Sequence, residues 1–315
     1  MEEIIRRGLE REMDLTTASL PDNIEQGLED DLDRFVAANL PLVLRQCAGR
    51  LGLEAPTSSI LEEIGLLTVQ VAVTPLGNAD SPLDGQFVQP LIESMTVNEL
   101  LDHLHNPIRS RIYYMQSQDD NLNKELSSLN CIPRSLPLSP LLSSTQPEAA
   151  NLWIGGPGTR SRLHCDNYEN IFVQLSGYKR IYLIPPGHVY GVHEQFLFPK
   201  RYTFDSTSSE WKLVDDPTVP GKVLFPTADP SDSSSHDGSF SLCKVYQVDL
   251  GPGDGLYMPA LWYHQVEIIG SEVNLSVNYW YSPSSESPLW PMWDFLRRSS
   301  LAVRGYHDDD YFAEQ

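Results

Sequence analysis

The sequence of 315 residues contains only four cysteines, an excess of acids over bases and no long apolar run. No stretch approaches the 18 or more apolar residues of a bilayer-spanning helix, so we expect no membrane-embedded segment. The first residues, MEEIIRRGLEREMD, mix acids with bases and lack the apolar core of a secretory signal, which indicates a protein of the cytosol or nucleus. The cysteines show no CxxC spacing, which argues against a zinc cage and a disulfide framework.

Basic residues are scarce: 22 Lys and Arg stand against 43 Asp and Glu, for a formal charge of −21. Binding to a phosphate backbone depends on Lys and Arg side chains that release condensed counterions, so an extended nucleic-acid interface is excluded. The charge favours a protein or peptide partner with a basic surface, although acidity can also serve solubility alone.

The patterning predicts one domain over residues 1–315. Residues 1–150 are expected to hold N-terminal helices and supporting strands, among them a helix in GLEDDLDRFVAAN and a second in TVNELLDHLH that begins after Thr96 or Asn98. Residues 121–150, rich in Leu, Pro and Ser, are expected to form an irregular bridge that contains helix.

A dense β pattern occupies residues 151–282, in segments such as NLWIGG, SRLHCD, ENIFVQL, KRIYLIPP and VNLSVNYWY. Many short strands at regular spacing predict a sandwich or barrel. The polar segment 231–239 is expected to be a mobile inserted loop. Residues 283–315 are expected to be helical, with WPMWDFLRRSSLAV packing on the barrel or on a second subunit of a homodimer.

Three side chains have the composition of an iron site. His164 and Asp166 are two apart in a segment predicted to be strand, where such residues leave the same face. His264 follows the turn-rich GPGDGLYMPALWY and supplies a third ligand. Two imidazoles and one carboxylate leave coordination positions open, which suits non-heme Fe(II) and O₂. An HxD pair also occurs by chance, and a lone strand histidine is more often structural; the weaker candidates are His103, His105, His188, His193 and His236.

A buried lysine is the second signal. By strand alternation Lys179 shares a face with Ile181 and Leu183, and a buried lysine needs an anionic partner. Polar residues on neighbouring inner faces indicate a small polar ligand in the barrel mouth; these are Asn170 beside Phe172, and Asn274, Ser276 and Asn278 beside Trp280. The alternative is that Lys179 protects an edge strand from aggregation.

The segments RLHCDNYENIFVQLSGYKRIYLIPP, PGDGLYMPALWYHQVE and VNYWY together resemble the jumonji-C oxygenases of the cupin superfamily. The resemblance is strongest to the branch of lysyl hydroxylases typified by jumonji domain-containing protein seven, and it covers nearly the whole chain. It implies a mainly β fold, a double-stranded β-helix (jelly-roll) barrel with flanking N- and C-terminal helices.

The resemblance also implies roles. His164, Asp166 and His264 match the catalytic iron ligands, and Lys179 matches the lysine that pairs with the distal carboxylate of 2-oxoglutarate. Other positions match residues that help to bind this co-substrate: Tyr114, Ser161, Asn170, Asn278 and Trp280. The implied activity is hydroxylation of a protein lysine with Fe(II), 2-oxoglutarate and O₂, on substrates such as developmentally regulated GTP-binding proteins.

Three other functions stay open at this point. One is demethylation of N-methyl-lysine or N-methyl-arginine. Another is peptidase action on histone-like basic peptides, although no Ser/His/Asp or Cys/His set has a distinctive spacing. The third is a non-catalytic cupin that only binds a ligand, against which the complete triad and Lys179 argue.

Overall fold

A computed structural model describes residues 2–108, 110–138, 146–232, 238–283 and 289–306. Within these ranges, no helix is both long and apolar enough to span a bilayer. The α-helices are α1 (Glu2–Ser19), α2 (Leu32–Ala38), α3 (Thr57–Ile64), α4 (Val97–His105) and α5 (Leu289–Val303). Short 3₁₀ helices lie at Glu29–Asp31, Pro186–His188 and Gly238–Leu242.

Strands make up most of the remaining regular structure. In chain order they are β1 (Glu25–Gly27), β2 (Leu42–Leu44), β3 (Thr68–Thr74), β4 (Asn78–Ala79), β5 (Ser81–Leu83), β6 (Gln86–Gln89), β7 (Leu91–Thr96), β8 (Ile112–Met115), β9 (Ala149–Gly155), β10 (Arg160–Cys165), β11 (Glu169–Ser176), β12 (Tyr178–Ile184), β13 (Glu194–Asp205), β14 (Glu210–Asp215), β15 (Val223–Pro226), β16 (Tyr246–Leu250), β17 (Gly255–Met258), β18 (Tyr263–Ile269) and β19 (Asn274–Tyr281).

Two of the sheets pack face to face. The larger has nine strands in the order β1-β2-β17-β11-β19-β9-β8-β3-β7, and the smaller has five in the order β16-β12-β18-β10-β4. A further sheet, β14-β13-β6-β5 with β15 on β13, extends from one side. The prediction of a mainly β fold with helices near both ends is confirmed.

Strand β11 shows why its sequence is apolar almost throughout. Phe172 points into the core between the two sheets, where it joins Ile181 and Met258. Ile171 and Val173 point the other way, into a larger core that helices α2, α3 and α4 cover. A strand that is buried on both faces needs apolar residues at successive positions rather than at alternate ones.

The bridge before β9 is irregular where the structure describes it, and its residues 139–145 lie outside the described residues. Residues 121–129 form consecutive turns, because their backbone hydrogen bonds mix spacings of three, four and five residues. The Asn121 side chain also bonds both the N–H and the C=O of Leu152, which ties the segment to the sheet. No α-helix forms over 121–138, and β9 begins at Ala149, two residues earlier than expected. Of the predicted loop 231–239, residues 233–237 with His236 lie outside the described residues.

Helix α4 begins at the predicted residue. The Thr96 hydroxyl accepts the Glu99 N–H at 3.2 Å, and the Glu99 carboxylate accepts the Thr96 N–H at 2.7 Å. We expect Thr96→Ala to lower the free energy of unfolding by about 1 kcal/mol, because the Glu99 N–H then loses its acceptor. Thermal denaturation should show a Tm lower by about 2–4 °C. Thr96→Ser keeps the hydroxyl and should behave like the wild type; an equal loss in both variants would contradict the capping argument.

Helix α5 packs on the barrel close to the predicted metal ligands. Trp293 lies against Ala260 and Leu261, in the turn that leads to His264. Arg297 donates two hydrogen bonds, of 2.7 and 3.0 Å, to the buried carboxylate of Glu194 in β13. The helix is therefore held to the barrel by both an apolar contact and an ion pair, while Phe295 on its other face is 69% exposed.

Candidate metal centre

The three predicted ligands meet at one end of the smaller sheet. Strands β10 and β18 are antiparallel, and their register places His164 directly opposite His264. A bulge between Ser161 and His164 sets this register. Asp166 lies one residue beyond the end of β10, so it is not in the strand as predicted. Its backbone C=O instead accepts the Leu261 N–H at 2.9 Å, which fixes the turn.

The side-chain distances suit a single ion. His164 Nε2 lies 3.9 Å from Asp166 Oδ1, and His264 Nε2 lies 3.6 Å from Asp166 Oδ2. One ligand atom from each side chain lies within 4.8 Å of the others. Over the described ranges, no other group of three His, Cys, Asp or Glu side chains meets this spacing. His103 instead stacks on Tyr113, and His188 accepts the Lys244 N–H.

Backbone carbonyls orient both imidazoles. His164 Nδ1 lies 2.7 Å from the Arg162 C=O, and His264 Nδ1 lies 3.0 Å from the Trp262 C=O. A carbonyl only accepts hydrogen bonds, so each Nδ1 carries the proton and each Nε2 presents a lone pair to the centre. Burial lowers the pKa of His264 to about 4, with the neighbouring His164 as the next cause. The neutral imidazole that a metal requires is therefore the form present near neutral pH.

Lys179 extends from the centre of the smaller sheet into the barrel. Its strand β12 lies between β16 and β18, so the edge-strand interpretation is wrong. The residue is 1% exposed, and its Nζ donates to Ser276 Oγ at 2.7 Å and to Tyr114 Oη at 3.3 Å. Among the described residues no carboxylate lies within 4.0 Å of this Nζ. Burial accordingly lowers its pKa to about 7.

Tyr114 and Ser161 line the same pocket as Lys179. Their hydroxyls are hydrogen-bonded to each other, while burial raises the pKa of the Tyr114 phenol. Tyr113 points to the opposite face of β8 and stacks on the His103 ring at 4.3 Å. Of the two neighbouring tyrosines, Tyr114 is therefore the one that faces this pocket.

Asn170, Asn278 and Trp280 complete the predicted set. Asn278 Nδ2 donates to Asn170 Oδ1 at 3.3 Å, and Asn278 Oδ1 accepts the Trp153 Nε1–H at 2.8 Å. Trp280 lines the pocket and stacks on Tyr168, with ring centroids 5.3 Å apart. All nine residues predicted for iron and co-substrate thus line one narrow pocket.

A model of the cupin-like domain family matches residues 29–287, which is most of the chain. The chain belongs to the cupin-like, jumonji-C family. Its sheets are accordingly the jelly-roll barrel of that family, with terminal helices outside it. Members of the family are 2-oxoglutarate-dependent oxygenases that use Fe(II).

Two relatives show the branch. The chain is 28% identical over 220 residues to the human bifunctional peptidase and (3S)-lysyl hydroxylase JMJD7, a match that covers 69% of each chain. It is also 28% identical over 228 residues to the Arabidopsis thaliana lysine-specific demethylase JMJ32, covering 68% of this chain and 66% of the relative. The similarity supports the JMJD7 branch of the jumonji-C family.

Several residues of the site were missed in the sequence. Trp153, whose indole holds Asn278, follows Asn151 at strand spacing, and that alternation is a signal for an inner face. Glu169 is buried and accepts the Tyr257 hydroxyl at 2.7 Å and the Ala260 N–H at 3.2 Å. Glu169 therefore stabilises the turn before β18, the strand that contains His264. The one sequence signal for Glu169 is its position next to Asn170, a residue predicted to bind the co-substrate.

A larger cavity, of about 570 Å³, opens beside the narrow pocket. His164, Ser161 and Gln118 line both spaces, so one metal ligand forms part of the wall between them. Asp80 and Gln116, which the sequence did not identify, line the larger cavity. The arrangement provides an inner space for a small co-substrate and an outer space for a larger group that approaches the same centre.

The residues fit the metal and co-substrate of the family. Two Nε2 lone pairs and one carboxylate converge, which is the donor set that non-heme Fe(II) takes with positions left open. Among the described residues the hydrogen-bond partners of the buried Lys179 ammonium are hydroxyls, so its charge is one that an anion would balance. The inner pocket therefore matches a metal-bound dicarboxylate in both charge and place.

Proposed function

We propose that the protein is an Fe(II)- and 2-oxoglutarate-dependent oxygenase that hydroxylates a lysine residue of a protein substrate. One observation carries the proposal: two imidazoles and a carboxylate lie in the same pocket as a buried lysine that has no carboxylate of the described residues within 4.0 Å. A protein that only bound a partner would gain nothing from a buried lysine beside the triad, because burying a charge costs free energy. Similarity to a lysyl hydroxylase supports the choice of target residue.

Each side chain has a task in this proposal. His164, Asp166 and His264 hold the metal, and the carbonyls of Arg162 and Trp262 keep the two rings in position. Lys179 holds the distal carboxylate of 2-oxoglutarate.

Further side chains orient the co-substrate. Tyr114 and Ser161 add hydroxyls beside Lys179, and the linked amides of Asn170 and Asn278 add polar groups on the opposite strands. Trp280 closes the wall. These groups are positioned by strands rather than loops, which favours a precise geometry.

Bound Fe(II), with 2-oxoglutarate and O₂, supplies the oxidation of a C–H bond to an alcohol while 2-oxoglutarate becomes succinate and CO₂. The chain contributes a water-poor setting for it. His264 is 5% exposed, and the aromatic rings of Phe172, Tyr114 and Trp153 surround the Lys179 ammonium at 5.0, 5.7 and 5.9 Å. Such walls exclude competing solvent and strengthen the charge contacts inside.

The direct test is mass spectrometry of substrate. The purified chain, loaded with Fe(II) and 2-oxoglutarate, is incubated with lysine-containing peptides, including those of developmentally regulated GTP-binding proteins. We expect a gain of one oxygen on a lysine-bearing fragment, with a matching amount of succinate. Peptides in which that lysine is replaced by norleucine serve as the control. Succinate formation without any oxidised lysine would reject the lysyl hydroxylase.

A demethylase is the second candidate, because the chain is equally similar to a lysine-specific demethylase. Hydroxylation of an N-methyl group collapses to an amine and formaldehyde, so the same assay on methylated peptides separates the two activities. Formaldehyde release with loss of 14 mass units per methyl would favour the demethylase. Shortened peptides would instead indicate the peptidase activity named for the human relative.

A further inference from the structure

The larger cavity contains one acidic side chain among its lining residues. The same cavity is lined by two cationic side chains, Arg162 and Arg201, and by His164. Arg162 is paired with Asp229, and Arg201 is paired with Asp216 at 2.9 Å. Both guanidinium groups are thus balanced within the protein. The carboxylate of Asp80, by contrast, has no ion-pair partner among the described residues. Its hydrogen-bond partner there is an amide: Gln116 Nε2 donates to Asp80 Oδ2 at 2.8 Å.

Asp80 is costly to keep in this place. No Lys, Arg or His nitrogen of the described residues lies within 4.0 Å of its oxygens. Burial raises the pKa of its carboxyl group, so a cation bound at its free oxygen would favour the charged form. Its φ of 49° lies in the left-handed region, which aspartate adopts more readily than most residues. A carboxylate at the wall of a cavity, without a basic partner among the described residues, is a candidate contact for a cationic ligand.

Strand register places Asp80 near the metal centre. Strand β4 runs parallel to β10, with Ala79 opposite Ser161; Asp80 is the first residue after β4 and lines the same cavity as Arg162 in β10. His164 lies two residues further along β10, which is about 7 Å at the rise of a β-strand. An extended lysine side chain spans that separation. A substrate residue in the cavity could therefore reach Asp80 with its charged end while a carbon of the same side chain faces the triad.

We propose that Asp80 is the specificity residue of a substrate subsite that binds the ammonium group of a lysine side chain. The inference rests on the proposed function and names how its substrate is recognised. Gln116 occupies one carboxylate oxygen, which leaves the other for a single charge-assisted hydrogen bond. A compact ammonium suits one free oxygen, whereas a guanidinium is best bound by two.

The test measures binding rather than turnover. The full chain is loaded with Mn(II), and capped glycine pentapeptides with a central lysine, norleucine, Nε-acetyl-lysine or glutamate are titrated by NMR. Paramagnetic broadening of the central side chain reports binding next to the metal. For the wild type we expect the lysine peptide to bind about tenfold or more tightly than the norleucine and acetyl-lysine peptides, as a hydrogen bond to a charged group provides.

Asp80→Asn removes the charge and keeps the shape, and asparagine tolerates a positive φ. We expect this variant to lose the preference for lysine, with a ratio near one, and Asp80→Lys to favour the glutamate peptide. The matched control is Asp84→Asn: Asp84 also has a φ of 49°, but it is exposed and does not line the cavity. It should keep the wild-type ratio.

The outcomes separate this inference from the proposed function. A lysine preference that survives in Asp80→Asn, or no preference in the wild type, overturns the role of Asp80. Succinate formation by the Fe(II)-loaded wild type is measured in parallel without peptide, with ascorbate as the reductant that replaces the C–H bond of a substrate. A chain that forms no succinate but shows the Asp80-dependent preference would refute the oxygenase and leave the subsite standing.

Discussion

His264→Ala is expected to lower succinate formation from 2-oxoglutarate at least about 1000-fold. The substitution removes one of three metal ligands, and the loss of partners that only orient such ligands already costs about 10–100-fold. His264 is also the most buried of the three, so no water-exposed side chain can replace it. Titration with Mn(II) should show the corresponding loss of metal affinity, and added Mn(II) should no longer raise the Tm.

The control for this variant is His103→Ala. His103 lies on α4, stacks on Tyr113 and is no part of the triad, so its removal should leave metal affinity and succinate formation near the wild type. His264→Gln preserves much of the volume and guards against a loss of fold. A folded His264→Gln variant with wild-type Mn(II) affinity would disprove the proposed ligand set.

The buried lysine and the two histidines could be predicted because their signals are local. Lys179, Ile181 and Leu183 are each two residues apart, so the two-residue period of a strand places all three on one inner face. Its burial at 1% confirms that expectation. His164 and His264 needed the family's motifs in addition, because they lie 100 positions apart in the sequence although their strands pair directly.

Asp80 shows what such signals cannot provide. The preceding strand β4 has two residues, too few for any periodic pattern, and it pairs with residues of β10 that lie about 80 positions away in the sequence. The turn after β4 needs a left-handed backbone at Asp80, and the sequence TPLGNADSPL does not predict that conformation for this position. The sequence therefore did not predict the outer cavity, although nine of the residues that line the inner pocket were named from it.

Residues 121–138 form no α-helix, and the reason is a different one. Leu122, Leu126 and Leu129 are all fully buried and have the spacing of a helix. The Asn121 side chain, however, replaces backbone partners by bonding Leu152 across the segment. Asparagine competes with helical hydrogen bonds in this way, and here a tertiary contact decided the outcome.

Lys179→Met is expected to weaken 2-oxoglutarate binding at least about 100-fold and, without ligand, to make the fold more stable. The loss of affinity follows from removing one partner of a buried charge pair, which typically costs 2–5 kcal/mol or more, as an order of magnitude. The gain in stability follows because the wild type buries an ammonium against only two hydroxyls. Calorimetric titration of the Mn(II)-loaded protein measures the first effect, and thermal denaturation of the metal-free protein measures the second.

The stability gain should depend on pH with a defined sign. Burial lowers the pKa of Lys179 from 10.5 to about 7 in the folded state. Below pH 7 the lysine is charged in both states and the penalty is fully present. Between pH 7 and 10.5 only the unfolded state keeps the proton, so the stability of the wild type rises with pH. The advantage of Lys179→Met should therefore be largest at and below pH 7 and shrink towards pH 10.5.

Lys124→Met is the matched control, because Lys124 is exposed and pairs with the exposed Asp119. Its stability should stay within about 0.5 kcal/mol of the wild type at every pH, and its affinity for 2-oxoglutarate should not change. If Lys179→Met were instead less stable than the wild type at pH 7, the lysine would contribute to the fold itself. Its burial would then be no sign of an anionic co-substrate, because only a group that opposes folding needs its ligand to balance the charge.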